Sequence, residues 1–176
     1  MIEIRNYKDA DSEALADIFT RAVRQIARRD YSPAQVTAWA PEDRDMAQFS
    51  ARCHAKPTFV AEYKGQVAGF TDLDGEGHID MFYVSPDFQR RGVGSAMLRF
   101  VTARAQSERC KRLYGEVSIT ARPVFERHGL RCWPIRRSRP TARAWAITAW
   151  KSCFSARRTS PPAPPSSLSP RPAAPA

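Results

Sequence analysis

The sequence predicts one mixed α/β (α+β) domain on a mostly antiparallel central sheet, and three observations carry that prediction. Two β-type runs, TFVAEY (58–63) and QVAGFTDL (66–73), flank a turn at Lys64 and Gly65. A third, HIDMFYV (78–84), follows a second turn at Asp74, Gly75 and Gly77. Strands joined by such short turns pair antiparallel. A helical stretch then leads from 78–84 to a further β-type run, RLYGEV (112–117). Strand, helix, strand is a crossover unit, so those two strands are expected side by side and parallel.

The elements follow in order. IEIRNY (2–7) alternates apolar and polar residues, as a half-buried strand does. Asp9 and Asp11 supply helix-start chemistry, and Leu15, Ile18, Phe19, Ala22, Val23 and Ile26 recur on one helical face to about Arg29. A second short helix starts near Pro33, because proline is tolerated in a first turn. A third segment, 43–53, also reads as helix, and Pro57 ends it before the hairpin. Beyond Gly94, the residues Ala96, Met97, Phe100, Val101 and Arg104 again share one face. ARPVFERHG (121–129) is a short helix stopped by Gly129.

Bulk composition removes several function classes. At 176 residues and 43% hydrophobic content, the chain can bury a real core. No apolar run is long enough to cross a bilayer, and MIEIRNYKDAD lacks a basic-then-apolar leader. A cytoplasmic protein without a membrane partner is the expectation. The cysteines at 53, 110, 132 and 153 form no CxxC pair, and the histidines are scattered, so neither a disulfide framework nor a metal site is expected. The net charge of +10 invites a nucleic-acid reading. Its distribution argues the other way. Nine of the 28 basic residues and none of the 18 acidic ones lie after residue 130, so the first 130 residues are near neutral. The excess is a solvated basic tail rather than a phosphate-binding face, and no nucleic-acid partner is expected.

The stretch YVSPDFQRRGVG (83–94) carries the chemistry. A turn entering a helix aims several backbone N–H groups at one point, glycines let a ligand approach without Cβ atoms, and the helix start adds partial positive charge. This makes an anion site suited to phosphate, with Arg90 and Arg91 raising the potential. It is neither a GK[ST] loop nor a GxGxxG loop. QRRGVG resembles the Q/R-x-x-G-x-G/A motif of the GCN5-related N-acetyltransferase (GNAT) superfamily. The strand and V-x-P-like turn before it, and ARPVFERHGL after it, follow the order of that family, and the resemblance spans about residues 2–130.

The resemblance implies a fold with helices on both faces of the sheet and a splayed strand pair that binds acetyl-CoA as cosubstrate. It implies that backbone groups of Phe82, Tyr83 and Val84 receive the pantetheine arm, and that a backbone N–H near Tyr83 or Val84 polarises the thioester carbonyl. The N–H groups of Arg90, Arg91, Gly92, Val93, Gly94 and Ser95 then hold the pyrophosphate, with Gln89 capping the loop. The implied reaction is direct acetyl transfer to a primary amine, the acceptor being a small molecule and the protein a monomer or homodimer. The amine must lose a proton. His78 is a candidate base, and Asp80, two residues along the same strand, acts through a water or binds the amine as a cation. Many family members protonate the thiolate with a tyrosine where this chain has Phe125. Solvent, Ser118 or Tyr83 remain as alternatives. Tyr31, Trp39 and Glu42 are expected to line the acceptor site.

After residue 130 the period is lost. The chain divides into an acetyltransferase domain (1–130), a basic irregular segment (131–158) and a Pro/Ser/Ala-rich tail (159–176) expected to be disordered. Family members add two further strands there, one beside the strand at 112–117. Loss of acidic residues, loss of period and a Pro/Ser/Arg/Ala run together suggest a reading-frame shift near 129–132. The two final strands are then absent and the product is inactive, unless Trp133, Ile135, Trp145, Ile147 and Trp150 form a substitute. A non-catalytic acyl-CoA-binding module is the alternative function.

Overall fold

A computed structural model describes residues 1–131 and the backbone of 150–154. Strand β1 (Ile2–Asn6) leads through a 3₁₀ turn (Asp9–Asp11) into α1 (Ser12–Arg21). The helical path then widens to a π-helical turn (Ala22–Ile26) and tightens to a 3₁₀ turn (Ala27–Arg29), so the single long helix expected over 9–29 changes geometry twice. Helix α2 (Pro33–Trp39) starts at a capping box: Ser32 Oγ accepts from Gln35 N, and Gln35 Oε1 accepts from Ser32 N. Helix α3 (Met46–Ala55) is capped by Asp45, which accepts from Gln48 N.

Strands β2 (Thr58–Tyr63) and β3 (Gln66–Asp72) form the hairpin. The run 78–84, expected as one strand, is two: β4 (His78–Ile79) and β5 (Phe82–Val84). They belong to different sheets. One sheet has the order β1-β2-β3-β5, all antiparallel. After α4 (Val93–Ser107) comes β6 (Leu113–Val117), which pairs parallel with β4 through His78↔Tyr114 and Ile79↔Gly115. Helix α5 (Arg122–Arg127) follows. Strand β7 (Trp150–Phe154) pairs antiparallel with β6, giving the second sheet the order β4-β6-β7. Of the two expectations for this part of the chain, absent strands or a substitute that includes Trp150, the backbone of β7 beside β6 accords with the second. Trp133, Ile135, Trp145, Ile147 and the expected disordered tail lie outside the described residues, as does most of the segment on which the frame-shift reading rests.

Asp72 is the cause of the split. Its Oδ1 accepts from Asp80 N at 2.7 Å and Met81 N at 2.9 Å, the two amides between β4 and β5. A carboxylate that takes consecutive donors ends the ladder at that point and turns the chain. β5 continues along β3 while β4 diverges toward β6.

Alternation sets the two faces. Val60 and Phe70 pack with Leu15, Phe19, Val23 and Phe49 beneath α1 to α3. Phe59 packs with Leu98, Val101, Leu113 and Phe125 beneath α4 and α5. Ala61 and Ala68 meet Val93 and Met97. Small residues there let the first turn of α4 approach the sheet, and a Cβ on Gly69 would lie 2.7 Å from Tyr83 O. No helix among the described residues is long and apolar enough to cross a membrane.

Candidate active site

The loop between β5 and α4 is shaped by two left-handed residues. Ser85 accepts from Asp87 N and caps the 3₁₀ turn Pro86–Phe88. Arg90 then has φ 61° and Gly92 φ 86°. Only glycine adopts that second conformation without cost, and Gly92 stands directly before α4. The result is a run of amides with nothing to bond. Among the described residues, no N–H from residue 90 to residue 95 donates to a protein acceptor. Side chains fix the loop from outside: Gln89 Nε2 donates to Val84 O at 3.2 Å, and Arg21 bonds both oxygens of Asp87 at 2.8 and 2.9 Å. Arg90 and Arg91 are exposed, the latter 5.6 Å from the Tyr63 ring centroid. The Val93 side chain is buried, so Val93 offers the site only its amide.

Below this loop the two sheets part. β5 is the edge of its sheet among the described strands, so Phe82 and Val84 present backbone groups on the side away from β3, whereas Tyr83, between Met81 and Ser85 that bond β3, turns its backbone groups toward β3. A cavity of about 110 Å³ lies there, lined by Val23 and Ile26 of the π-helical turn, by Val84, Gln89 and Gly94, and by Thr120 and Val124 opposite. A second of about 40 Å³ reaches Asp80, Gly115, Glu116 and Phe125. Trp39, Phe82, Tyr83, Ser118 and Ala121 line both, so they are two parts of one cleft. A Cβ on Gly94 would meet Val84, Val124 and Phe82 no closer than 3.6 Å. The protein itself has room for a side chain at 94; what that side chain would occupy is the mouth of the cleft. Phe125, 1% exposed, packs edge-on to Phe82 at 4.9 Å.

The candidate catalytic residues are not where one straight strand would put them. His78 and Asp80 lie either side of the β4 end and do not act as a same-face pair. His78 Nδ1 is 3.0 Å from Lys56 Nζ, and Nε2 is 3.0 Å from Glu116 Oε2. An ammonium only donates, so Nδ1 is the acceptor and Nε2 carries the hydrogen. Both ring nitrogens are therefore engaged, and His78 lines neither part of the cleft. Asp80 does line it and accepts from Arg52 at 2.8 and 3.1 Å. Burial pushes the Tyr83 hydroxyl up to about 12, and the Trp39 indole, as a donor, and Arg52 work against that rise. At neutral pH it is a donor and not a base.

Of the expected acceptor-site residues, Trp39 lines the cleft. Tyr31 is 6% exposed, its hydroxyl accepts from Ile119 N at 2.9 Å, and its ring meets Trp39 at 5.4 Å. It is a strut between the helical layer and the loop after β6. Glu42 is solvent-exposed and pairs with Arg24 at 3.0 Å, away from both cavities. Sequence reasoning passed over Asp72, Arg44, Arg52 and Glu116. An aspartate closing an apolar strand was the available signal for Asp72; the others had none, because separate elements place Glu116 on the cleft wall, Arg52 against Asp80 and Arg44 over Phe19.

The comparisons with known proteins agree with this geometry. Residues 27–138 match the family model described as acetyltransferase (GNAT) domain. The chain is 40% identical over 128 residues to the uncharacterized N-acetyltransferase YafP of Escherichia coli (strain K12), covering 73% of this chain and 80% of that protein. It is similar to a GCN5-related N-acetyltransferase structure from Rhodopseudomonas palustris, with a TM-score of 0.78, 30% identity, and coverage of 87% of this chain and 94% of the other. The PaiA N-acetyltransferase of Thermoplasma acidophilum, solved in complex with coenzyme A, has the same fold, with a TM-score of 0.70 at 13% identity over 88% of this chain and 98% of its own. With the open amides, the parted strands and these likenesses together, the chain belongs to the GCN5-related N-acetyltransferase superfamily, whose acetyl donor is acetyl-CoA.

Proposed function

We propose that the protein transfers the acetyl group of acetyl-CoA to a primary amine of a small molecule, by direct attack on the thioester within the cleft between β5 and β6. The observation that carries this reading is the run of unpartnered amides from residue 90 to residue 95 at the mouth of that cleft. Those amides of Arg90, Arg91, Gly92, Val93, Gly94 and Ser95 hold the pyrophosphate, with Gln89 fixing the loop to Val84. The free edge formed by the outward backbone groups of Phe82 and the N–H of Val84 bonds the pantetheine arm as a neighbouring strand would, while the Tyr83 backbone faces β3. An amide of that edge stabilises the oxyanion when the amine nitrogen bonds to the carbonyl carbon. Phe125 forms the apolar floor.

The C–N bond forms first, giving the oxyanion, and its collapse breaks the C–S bond; starting from the ammonium, the nitrogen sheds two protons, one to Asp80 and one to solvent, and the departing thiolate gains one. Asp80 holds the incoming ammonium and accepts its proton through a water, while Arg52 keeps its carboxylate oriented. His78 acts at a distance, steadying Glu116 through Nε2. The thiolate takes its proton from solvent. From Tyr83, at about 12, to an ordinary thiol near 8.5, the transfer is uphill by roughly 5 kcal/mol.

Calorimetry with coenzyme A, combined with thiol release from acetyl-CoA over an amine panel, tests the reading. Heat with coenzyme A that is lost in Gly94→Val, together with amine-dependent thiol release, supports it. No heat from folded protein overturns it. Phe125, which lacks the proton of the usual tyrosine, favours one second reading, a non-catalytic acyl-CoA-binding module. Binding without release on any amine would select that module.

A further inference from the structure

Arg44, between α2 and α3, lies in the aromatic cluster behind Tyr83 and has no counter-charge among the described residues. Its carbon Cζ lies 4.1 Å over the Phe19 ring and 5.7 Å from that of Phe49. Nε and Nη2 are closed off from solvent and find no acceptor among the described residues. These two nitrogens share one edge of the guanidinium, the edge that takes both oxygens of a carboxylate. Native proteins rarely leave such donors unmatched without a functional reason.

The surroundings point to the acceptor. Phe19, on which Arg44 lies, packs edge-on to Tyr83 at 4.7 Å, and Tyr83 lines both parts of the cleft. The other two arginines near enough to act on Arg44 are already neutralised. Arg24 pairs with Glu42 and donates to Ala40 O, and Arg52 pairs with Asp80. Burial, and then the like charges of Arg52 and Arg24, push the Arg44 guanidinium down from its usual range, with Tyr83 opposing. Of these three arginines, Arg44 alone has no carboxylate partner among the described residues.

We propose that the acceptor is an aminocarboxylate, its ammonium held at Asp80 and its carboxylate received by the Nε and Nη2 edge of Arg44 once the side chain turns off the Phe19 ring. Stacking on that ring is then the resting position of the arginine, which keeps the cation desolvated and ready until substrate arrives. This rests on the acetyl-transfer reading and adds a substrate class to it.

The test uses ω-amino carboxylates of increasing length, each beside the alkylamine of the same length, with the full-length protein. The wild type is expected to prefer the carboxylate member by about 10- to 100-fold in kcat/KM at the matching length, the range of one or two charge-assisted hydrogen bonds. Arg44→Met and Arg44→Gln abolish the preference, mainly through KM, and leave coenzyme A affinity by calorimetry unchanged. Arg44→Lys retains part of it. If turnover is absent, calorimetric binding of the N-acetylated carboxylates to protein saturated with coenzyme A gives the same comparison. Equal rates or equal binding for both members, or a preference that survives in Arg44→Met, overturns the proposal. Failure to bind coenzyme A overturns the acetyl-transfer reading instead, and binding of the carboxylates to free protein then decides the role of Arg44 alone.

Discussion

Gly92 and Gly94, two positions apart in sequence, show how position defines need. Gly92 is glycine because its φ is 86°; its Cβ would have space, with only Ile2 Cδ1 at 3.8 Å. Gly94 is a helical residue whose Cβ would enter the cleft mouth. Gly92→Ala should cost about 1–2 kcal/mol by urea unfolding, from left-handed strain. Gly94→Val should leave the urea midpoint nearly unchanged and weaken coenzyme A binding at least about tenfold, since bulk replaces contacts to the anion. Asp72 makes a different prediction. Burial pushes its carboxyl above the usual carboxylate range, against the pull of Met81 N and Asp80 N, and Oδ2 has no partner among the described residues. A raised folded-state pKa means the contribution is full below the unfolded value near 3.8 and falls as pH rises through the folded value. Asp72→Asn keeps one oxygen for both amides and removes the charge. Its stability, measured by urea between pH 4 and 8, should therefore decline less with rising pH than that of the wild type. Asp72→Ala strands two buried N–H groups and should cost about 2–4 kcal/mol.

At the scale of elements, the site exists because β4 and β5 separate while β4 and β6 meet closely. That meeting depends on Gly115, where a Cβ would lie 2.3 Å from Ile79 O. Backbone cannot give way as a flexible side chain does, so Gly115→Ala should destabilise by at least about 2 kcal/mol and loosen the β4–β6 pair. Hydrogen exchange at Ile79 and Tyr114 would report that loosening; unchanged protection would refute it. The π-helical turn Ala22–Ile26 has a related role. It places Val23 in the core and Ile26 on the cleft wall, which an unbroken α-helix over 12–29 would not combine in the same way.

For the whole molecule, the second sheet depends on its last strand. β4 pairs with β6 over two residue pairs, whereas β7 pairs with it over five. Ending the chain at residue 131 should therefore expose β6 as an open edge and lower the thermal midpoint, with aggregation rising with concentration. A truncated chain as stable and monodisperse as the intact one would show that β7 adds nothing.

The local rules that read single elements worked where local chemistry decides: the helix starting near Pro33, the hairpin at Lys64 and Gly65, the helix beyond Gly94, which in fact starts one residue earlier at Val93, and the stop at Gly129, whose φ is 79°. They placed the anion loop for the same reason, because its amides, glycine and helix start are contiguous. They missed the break at Asp80 and Met81, since the apolar run 78–84 reads as one strand until a carboxylate from β3 reaches across to it. They also put Tyr31 and Glu42 at the acceptor site, where the fold turns one into a strut and the other outward. Spacing along the chain was enough to identify the family and to order the elements apart from the β4–β5 break, because motif and period are local. Only the tertiary structure decided that His78 is fully bonded, that Asp80 faces the cleft and that Arg44 lacks a counter-charge among the described residues. Burial and pairing are properties of residues distant in sequence, and no local pattern records them.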